Sequence, residues 1–238
     1  MMRTLSGLIA RHRRPILIVA AALVAATLLA RVLGADPDTL TPWLFLPFLA
    51  ADLLYLLILA APSTRHHPDA FEVDGAGFHT PRSGNITLAG VAHLCLLGAL
   101  ALYPSGTSPM GIPLVWAPAI GVAALALYPR ALWHGVRLTI TPDGLRNDKY
   151  AGTVTIPWQS ITEINPTDST GLRLRLSLTS LDQITVTGWT TSRRTLEFDG
   201  AGLPFVAATI RHYLANPADR LHIGTPEEHR RLHPAPPA

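Results

Sequence analysis

The sequence predicts two parts: an α-helical membrane bundle of four transmembrane helices, and a small antiparallel β-barrel or sandwich capped by a C-terminal α-helix. The first observation is that residues 86–129 contain no Asp, Glu, Lys or Arg, whereas a water-soluble domain mixes charge into every element. The second is that residues 136–198 repeatedly alternate polar and apolar side chains, which is the period of half-buried strands. The chain is therefore expected to have a membrane half and a water-soluble half.

Four apolar runs are long enough, or nearly long enough, to cross a bilayer. They cover about residues 15–33, 43–61, 86–103 and 112–133. A basic segment, 1–14, precedes them, and a loop, 62–85, joins the second run to the third. The first run has features of a signal peptide, but Leu33 and Ala35 make a poor cleavage site and three more runs follow, so we favour a membrane anchor.

Arginines near the ends of the runs predict the orientation. Segments 1–14, 62–85 and 130–137 contain arginine, whereas the connections 34–42 and 104–111 contain no Lys or Arg. In a four-span path all three arginine-bearing segments fall on one side, so the positive-inside rule places both termini in the cytoplasm. We therefore expect a multi-pass protein of the cell (inner) membrane, surrounded by the lipid bilayer.

The β-domain is predicted over residues 135–217. Its clearest strand is "LRLRLSLT" at 172–179, because four leucines lie on one face and polar side chains on the other. The amphipathic sequence "GLPFVAATIRHYLANP" predicts the capping helix. In the loop, "FEVDGAGFHTP" predicts a short hairpin over 71–79 that packs against this domain; the alternative is a flexible loop. Residues 218–238 are expected to be a mobile Pro-rich tail, apart from a possible helical turn at 226–232.

The stretch "LTITPDGLRNDKYAGTVTIPWQSITEI", residues 138–164, resembles the opening of bacterial pleckstrin-homology-like (PH-like) domains that are attached to membrane helices. Those domains share a strand, a "DGL" turn, a second strand, an "IPW" motif and an "I-x-x-I" segment. The matching residues are Thr141, Asp143, Gly144, Leu145, Ile156, Pro157, Trp158, Ile161 and Ile164. The resemblance covers about residues 136–217 and implies a bent sheet barrel, capped by the helix at 203–215.

This organisation favours a binding or scaffold module. The helices would hold a cytoplasmic PH-like domain at the membrane, and the domain would present a surface to a protein partner or a lipid headgroup. The candidate surface consists of four basic side chains: Arg173, Arg175, Arg193 and Arg194.

The alternative is a small membrane transport or sensing subunit that uses Asp52 and His93. On the predicted spans both residues lie roughly 14–15 Å below the outer end of their helices. A carboxylate at that depth should face the bundle rather than lipid. The two residues would then form either a hydrogen bond between helices or a proton-linked site.

An enzyme is the weaker class. The sequence contains no nucleophile elbow, glycine-rich phosphate loop, paired carboxylates or metal-ligand spacing, so no catalytic residue, metal or cofactor is expected. Cys95 is the only cysteine, which excludes an intrachain disulfide. The arginines are scattered, so nucleic acid is not an expected partner. His66, His67, Asp69 and His79 are expected to lie in a solvated loop rather than to bind a metal.

Overall fold

A computed structural model describes residues 2–60, 70–82, 84–103, 129–166, 173–198 and 200–232. The chain divides into two units. Unit 1 comprises Met1–Arg65 and Ser83–Trp133, and unit 2 comprises His66–Arg82 and His134–Ala238. The predicted loop between the second and third apolar runs is therefore divided, and much of it belongs to unit 2.

Unit 1 is helical in its described residues. Its helices are α1 (Met2–Arg11), α2 (Arg13–Val32), α3 (Pro37–Ala60), α4 (Asn85–Ala101) and α5 (Pro129–His134). The helix α1 is not among the predicted elements, because the segment was expected only to be basic. Its Ile9 is buried in a cluster with Ile58 of α3 and Leu88 of α4.

Two helices of unit 1 could cross a membrane by length and composition, namely Arg13–Val32 and Pro37–Ile58. They correspond to the first two predicted spans. The third predicted span coincides with α4, which is apolar but has only 17 residues. The fourth, 112–133, lies outside the described residues except for its end in α5. These two helices suggest membrane association by length and composition alone, and the four-helix bundle and its topology remain predictions.

Small residues let α4 pack closely against its neighbours. A Cβ atom at Gly90 would lie 2.2 Å from Cδ2 of Leu132, and one at Gly98 would lie 2.8 Å from Cγ1 of Val24. Helices in lipid associate largely through such close fits, because lipid tails are as apolar as leucine and give no drive to bury one helix against another.

Two antiparallel sheets make up unit 2. The larger has the strand order β1-β2-β3-β4-β5-β8, and the smaller has the order β6-β7-β9. The strands are β1 (Glu72–Val73), β2 (Phe78–His79), β3 (Arg137–Thr141), β4 (Gly144–Asp148), β5 (Gly152–Pro157), β6 (Ile161–Pro166), β7 (Arg173–Leu178), β8 (Thr185–Gly188) and β9 (Thr195–Glu197). After β7 the chain crosses to the larger sheet, where β8 pairs with β5. It then returns to the smaller sheet, where β9 pairs with β7. The antiparallel β-domain of the prediction is therefore present.

The predicted hairpin is formed by β1 and β2, and it extends the sheet. Phe78 and His79 of β2 pair with Ile140 and Thr139 of β3. The Phe78 side chain is fully buried in the core of unit 2. A Cβ atom at Gly77 would lie 2.4 Å from the carbonyl oxygen of Ile140, so this close approach requires glycine. The prediction of a hairpin packed on the β-domain is confirmed.

The predicted capping helix is α6 (Leu203–Ala215), which buries Val206 and Ile210 in the same core. Two short helices follow it: a 3-10 helix, Pro217–His222, and α7, Pro226–Leu232. The prediction of a mobile tail is wrong for residues 218–225, whereas the helical turn predicted at 226–232 is confirmed by α7. Ile223 is buried in the core, and the Tyr213 hydroxyl donates a 2.8 Å hydrogen bond to Glu228 of α7. Proline content predicted mobility, but these core contacts fix the segment.

Candidate functional site: an arginine face on the small sheet

The strand β7 presents two of the predicted arginines on one surface. Arg173 and Arg175 are exposed, and the leucines that alternate with them are buried. Across the ladder, Arg173 lies opposite Glu197 and Arg175 lies opposite Thr195. The outward direction of both arginines follows from the period of two that the sequence already displays.

The other two predicted arginines lie in the segment that leads into β9. The amide nitrogen of Leu176 donates a 2.7 Å hydrogen bond to the carbonyl oxygen of Arg194. The Nζ atom of Lys149 donates a 2.7 Å hydrogen bond to the carbonyl oxygen of Ser192. The backbone of this segment is therefore fixed, while the side chains of Arg193 and Arg194 are exposed.

We call this surface the arginine face; it consists of Arg173, Arg175, Arg193 and Arg194. Within the described part of the chain, none of the four guanidinium groups has a hydrogen bond or ion pair. Two carboxylates share the surface: Glu197 lies opposite Arg173, and the exposed Glu163 of β6 lies opposite Ser177. A guanidinium group binds a carboxylate or a phosphate through two parallel hydrogen bonds, so the face is suited to an anionic partner.

Lys149 fixes the backbone next to Arg193 through its hydrogen bond to Ser192. Its side chain is buried, and the burial lowers the pKa of Lys149, while the charge of Glu197 raises that pKa and the charge of Arg173 lowers it. Because its ammonium group already holds Ser192, we assign Lys149 a positioning role.

Asn147 is a positioning residue that the sequence analysis missed. It is fully buried, and its Nδ2 atom donates hydrogen bonds to the carbonyl oxygens of Arg137, at 3.1 Å, and Glu197, at 2.6 Å. Its Oδ1 atom accepts a 2.9 Å hydrogen bond from the Glu197 amide. These bonds attach β9 to the large sheet. The available signal was an asparagine two residues after Leu145, at a position where the alternation places an inward side chain.

The two polar residues that are predicted to lie within the membrane, Asp52 and His93, lie on neighbouring helices of unit 1. Asp52 is half-buried on α3, and His93 is exposed on α4. The Nδ1 atom of His93 lies 2.7 Å from the carbonyl oxygen of Ala89, one turn earlier on the same helix. The pairing of Asp52 with His93 stays a prediction.

His79 does not lie in a solvated loop as expected. It is 6% exposed, and its Nδ1 atom lies 3.0 Å from Oγ1 of Thr139. Its Nε2 atom lies 2.6 Å from the Asp74 carboxylate, and this close contact lowers the pKa of Asp74. The other members of that sequence cluster, His66, His67 and Asp69, lie outside the described residues.

The comparison with protein families agrees with this domain. Residues 135–202 match the family model described as "Bacterial PH domain". The match lies within unit 2, runs from just before β3 to just before α6, and confirms the resemblance to bacterial PH-like domains there. No curated protein and no solved structure matches the chain.

Proposed function

We propose that this chain is a membrane-anchored binding module whose PH-like domain holds an acidic protein surface on the arginine face. The observation that carries the proposal is a set of four exposed guanidinium groups without a partner among the described residues. The match to a bacterial PH domain supports a binding or scaffold role in general terms.

The rigidity of the arginine face favours binding. The backbone beneath it is fixed by the β7–β9 ladder and by the hydrogen bonds of Lys149 and Asn147. Only the arginine side chains must therefore be ordered when a partner binds, which lowers the entropic cost of association.

The charge pattern favours a protein over a lipid surface as the partner. Glu163 and Glu197 share the surface with the four arginines, and a carboxylate is repelled by a uniformly anionic lipid layer. A protein can instead place its own basic groups opposite these two carboxylates, and such complementarity gives specificity.

The proposal includes anchoring by the helices of unit 1. The two candidate spans support it, and the third and fourth spans belong to the proposal. The arginine distribution along the sequence predicts that the PH-like domain lies in the cytoplasm, where a cytoplasmic or peripheral membrane protein can reach it.

Photo-crosslinking in cells tests this function. A photoreactive residue at Ser177, which lies on the same face of β7 as Arg173 and Arg175, should give a discrete adduct with a second protein. The double variant Arg175→Glu, Arg194→Glu should abolish that adduct, whereas Arg230→Glu on α7 should not. An adduct that survives the charge reversal, or no adduct from Ser177, would contradict the proposal.

A further inference from the structure

Two chain connections leave the large sheet at the same end: the one from Arg82 to α4 and the one from α5 to Arg137. Arg137, the first residue of β3, pairs with Asp148, the last residue of β4. β2 runs antiparallel to β3 and leads on to Arg82 at the same end. Arg82 is three residues before α4, and Arg137 is three residues after α5. We call this the tethered end. The first hairpin turn, at 142–143, lies at the opposite end.

Two large aromatic side chains are exposed at the tethered end. Tyr150, in the turn between β4 and β5, is 40% exposed, and Trp189, directly after β8, is 58% exposed. They belong to adjoining segments, since the Trp189 amide donates a 3.1 Å hydrogen bond to the carbonyl oxygen of Ala151. Tyrosine and tryptophan are the residues enriched at membrane–water interfaces, because an apolar ring carries a polar atom.

The tethered end also brings two arginines together. The Nε atoms of Arg82 and Arg137 are both buried and have no hydrogen-bond partner among the described residues. Glu72 accepts one bond from Arg137, from Nη2 at 3.3 Å, and the carboxylates of Asp74 and Asp148 also act on the charge of Arg137. Burial and the charge of Arg82 lower the pKa of Arg137. A phosphate oxygen would supply the missing acceptor.

We propose that the tethered end docks in the headgroup layer of an anionic membrane, with Tyr150 and Trp189 at the interface and Arg82 and Arg137 facing lipid phosphates. Three residues of chain span at most about 10 Å, so a bilayer that holds α4 keeps this end of the sheet near its surface. The proposal concerns a surface separate from the arginine face and rests on the proposed function only for the membrane anchor. Docking of this end would leave the arginine face free for its partner.

Spin labels on the full chain test the docking. With Cys95→Ala as background, one nitroxide is placed at Thr191→Cys near Trp189, and a control is placed at Asp143→Cys in the opposite turn. In vesicles of phosphatidylglycerol and phosphatidylcholine, the Thr191 label should gain oxygen accessibility and lose access to a water-soluble nickel chelate. The Asp143 label should keep the accessibility of water. A water-exposed Thr191 label, or an immersed Asp143 label, would overturn the proposal.

Variants and lipid composition identify what is bound. Tyr150→Ala with Trp189→Ala should return the Thr191 label to water, and because both side chains are exposed the fold should be kept. In vesicles of phosphatidylcholine alone, loss of the attraction for two arginines should weaken docking, by at most about thirtyfold because Glu72 and Asp148 offset part of their charge. Equal docking in both vesicles would overturn the role of the arginines.

Three further outcomes separate this proposal from others. Inorganic phosphate should leave the depth of the Thr191 label unchanged, and release by phosphate would assign the site to a free anion instead. Dipolar broadening between labels on two molecules would assign it to a second copy of the chain. The double variant Arg175→Glu, Arg194→Glu should leave the depth unchanged while it removes the proposed protein partner, so the two proposals fail independently.

Discussion

Unit 1 and unit 2 place their large apolar side chains in opposite ways. In unit 1, exposed apolar residues follow α2 and α3 along their length, for example Val19 at 67% and Leu53 at 59% exposure. In unit 2 the described apolar residues are mostly in one core, and Tyr150, Leu181, Trp189 and Leu221 are the large ones that remain exposed. The outer surface of unit 1 is thus compatible with lipid, and that of unit 2 with water.

The two units also differ in what specifies their packing. Unit 1 relies on close fits at small residues such as Gly90 and Gly98. Unit 2 buries polar groups whose hydrogen bonds must be satisfied, as at Asn147 and Tyr213. In water, burial of apolar area drives collapse without choosing one arrangement, and buried polar networks then select it. In lipid the hydrophobic effect does not drive helices together, so the close fit of their surfaces must select the arrangement.

Phe78→Ala should give the largest effect, because it empties a fully buried position that joins the hairpin to the core of unit 2. Such a change costs about 3–5 kcal/mol. Hydrogen exchange should show loss of protection in β3 and β4, with α2 and α3 unchanged, and Trp189→Ala should have little effect. Equal loss of protection in both units would break the distinction between them.

Asn147→Leu should also destabilise unit 2 alone. The change keeps the volume but removes the hydrogen bonds that Asn147 makes to the Glu197 amide and to two carbonyl oxygens, at about 1–3 kcal/mol for a stranded group. The exchange rate of β9 should rise first, because Asn147 attaches β9 to the large sheet. Unaltered protection of β9 would show that the ladder with β7 is sufficient to hold it.

Gly98→Ile should destabilise unit 1 alone, because the new side chain meets Val24 and Leu44. Overpacking of this kind costs about 1–3 kcal/mol. Denaturant unfolding in micelles would measure it. Gly7→Ile is the matched control, since a Cβ atom at Gly7 meets nothing within 4 Å. If the control were equally destabilised, helix packing would not explain the result.

Acid should weaken the hairpin slightly through Asp74. The close contact with His79 lowers the pKa of Asp74 from its ordinary value of 3.8, so the contribution of this contact is fully present above pH 3.8 and is lost as the pH falls through the lowered pKa. Asp74 is half-exposed, which limits the effect to about 1 kcal/mol or less. Asp74→Asn should flatten the acid limb of the stability curve, and high salt should reduce the difference from the unaltered chain. An unchanged acid limb would exclude this contribution.

Asp52 should give the smallest change in stability and tests the alternative function. Asp52→Asn keeps a hydrogen-bonding group and removes the titration, whereas Asp52→Leu removes both. Hydrogen bonds between membrane helices average about 0.6 kcal/mol, so Leu should destabilise by about that amount while Asn folds and functions normally. If Asn folds normally but abolishes cellular function, transport or sensing is favoured over binding.

Local patterns predicted most of unit 2. Period-two alternation gave the inward leucines of β7, and the Asp74–Gly77 turn between apolar residues gave the hairpin. The pairing of β8 with β5 and of β9 with β7 depends on contacts distant in sequence, which no local pattern encodes. Arginine spacing indicated the arginine face, but only the fold brought 173–175 beside 193–194. The role of Asn147 is likewise tertiary, since its partners Arg137 and Glu197 are far apart along the chain.

The pairing of β2 with β3 has a consequence for biosynthesis. The ribosome makes the hairpin before α4, and the strand that receives it, β3, emerges only after α5. Phe71 and Phe78 are therefore synthesised before β3 and the rest of their core are available. The PH-like domain thus cannot fold strand by strand as it is translated. For the same reason a gene fragment that starts at residue 132 would encode a sheet without its first two strands, and any partner search with such a fragment would begin from an incomplete domain.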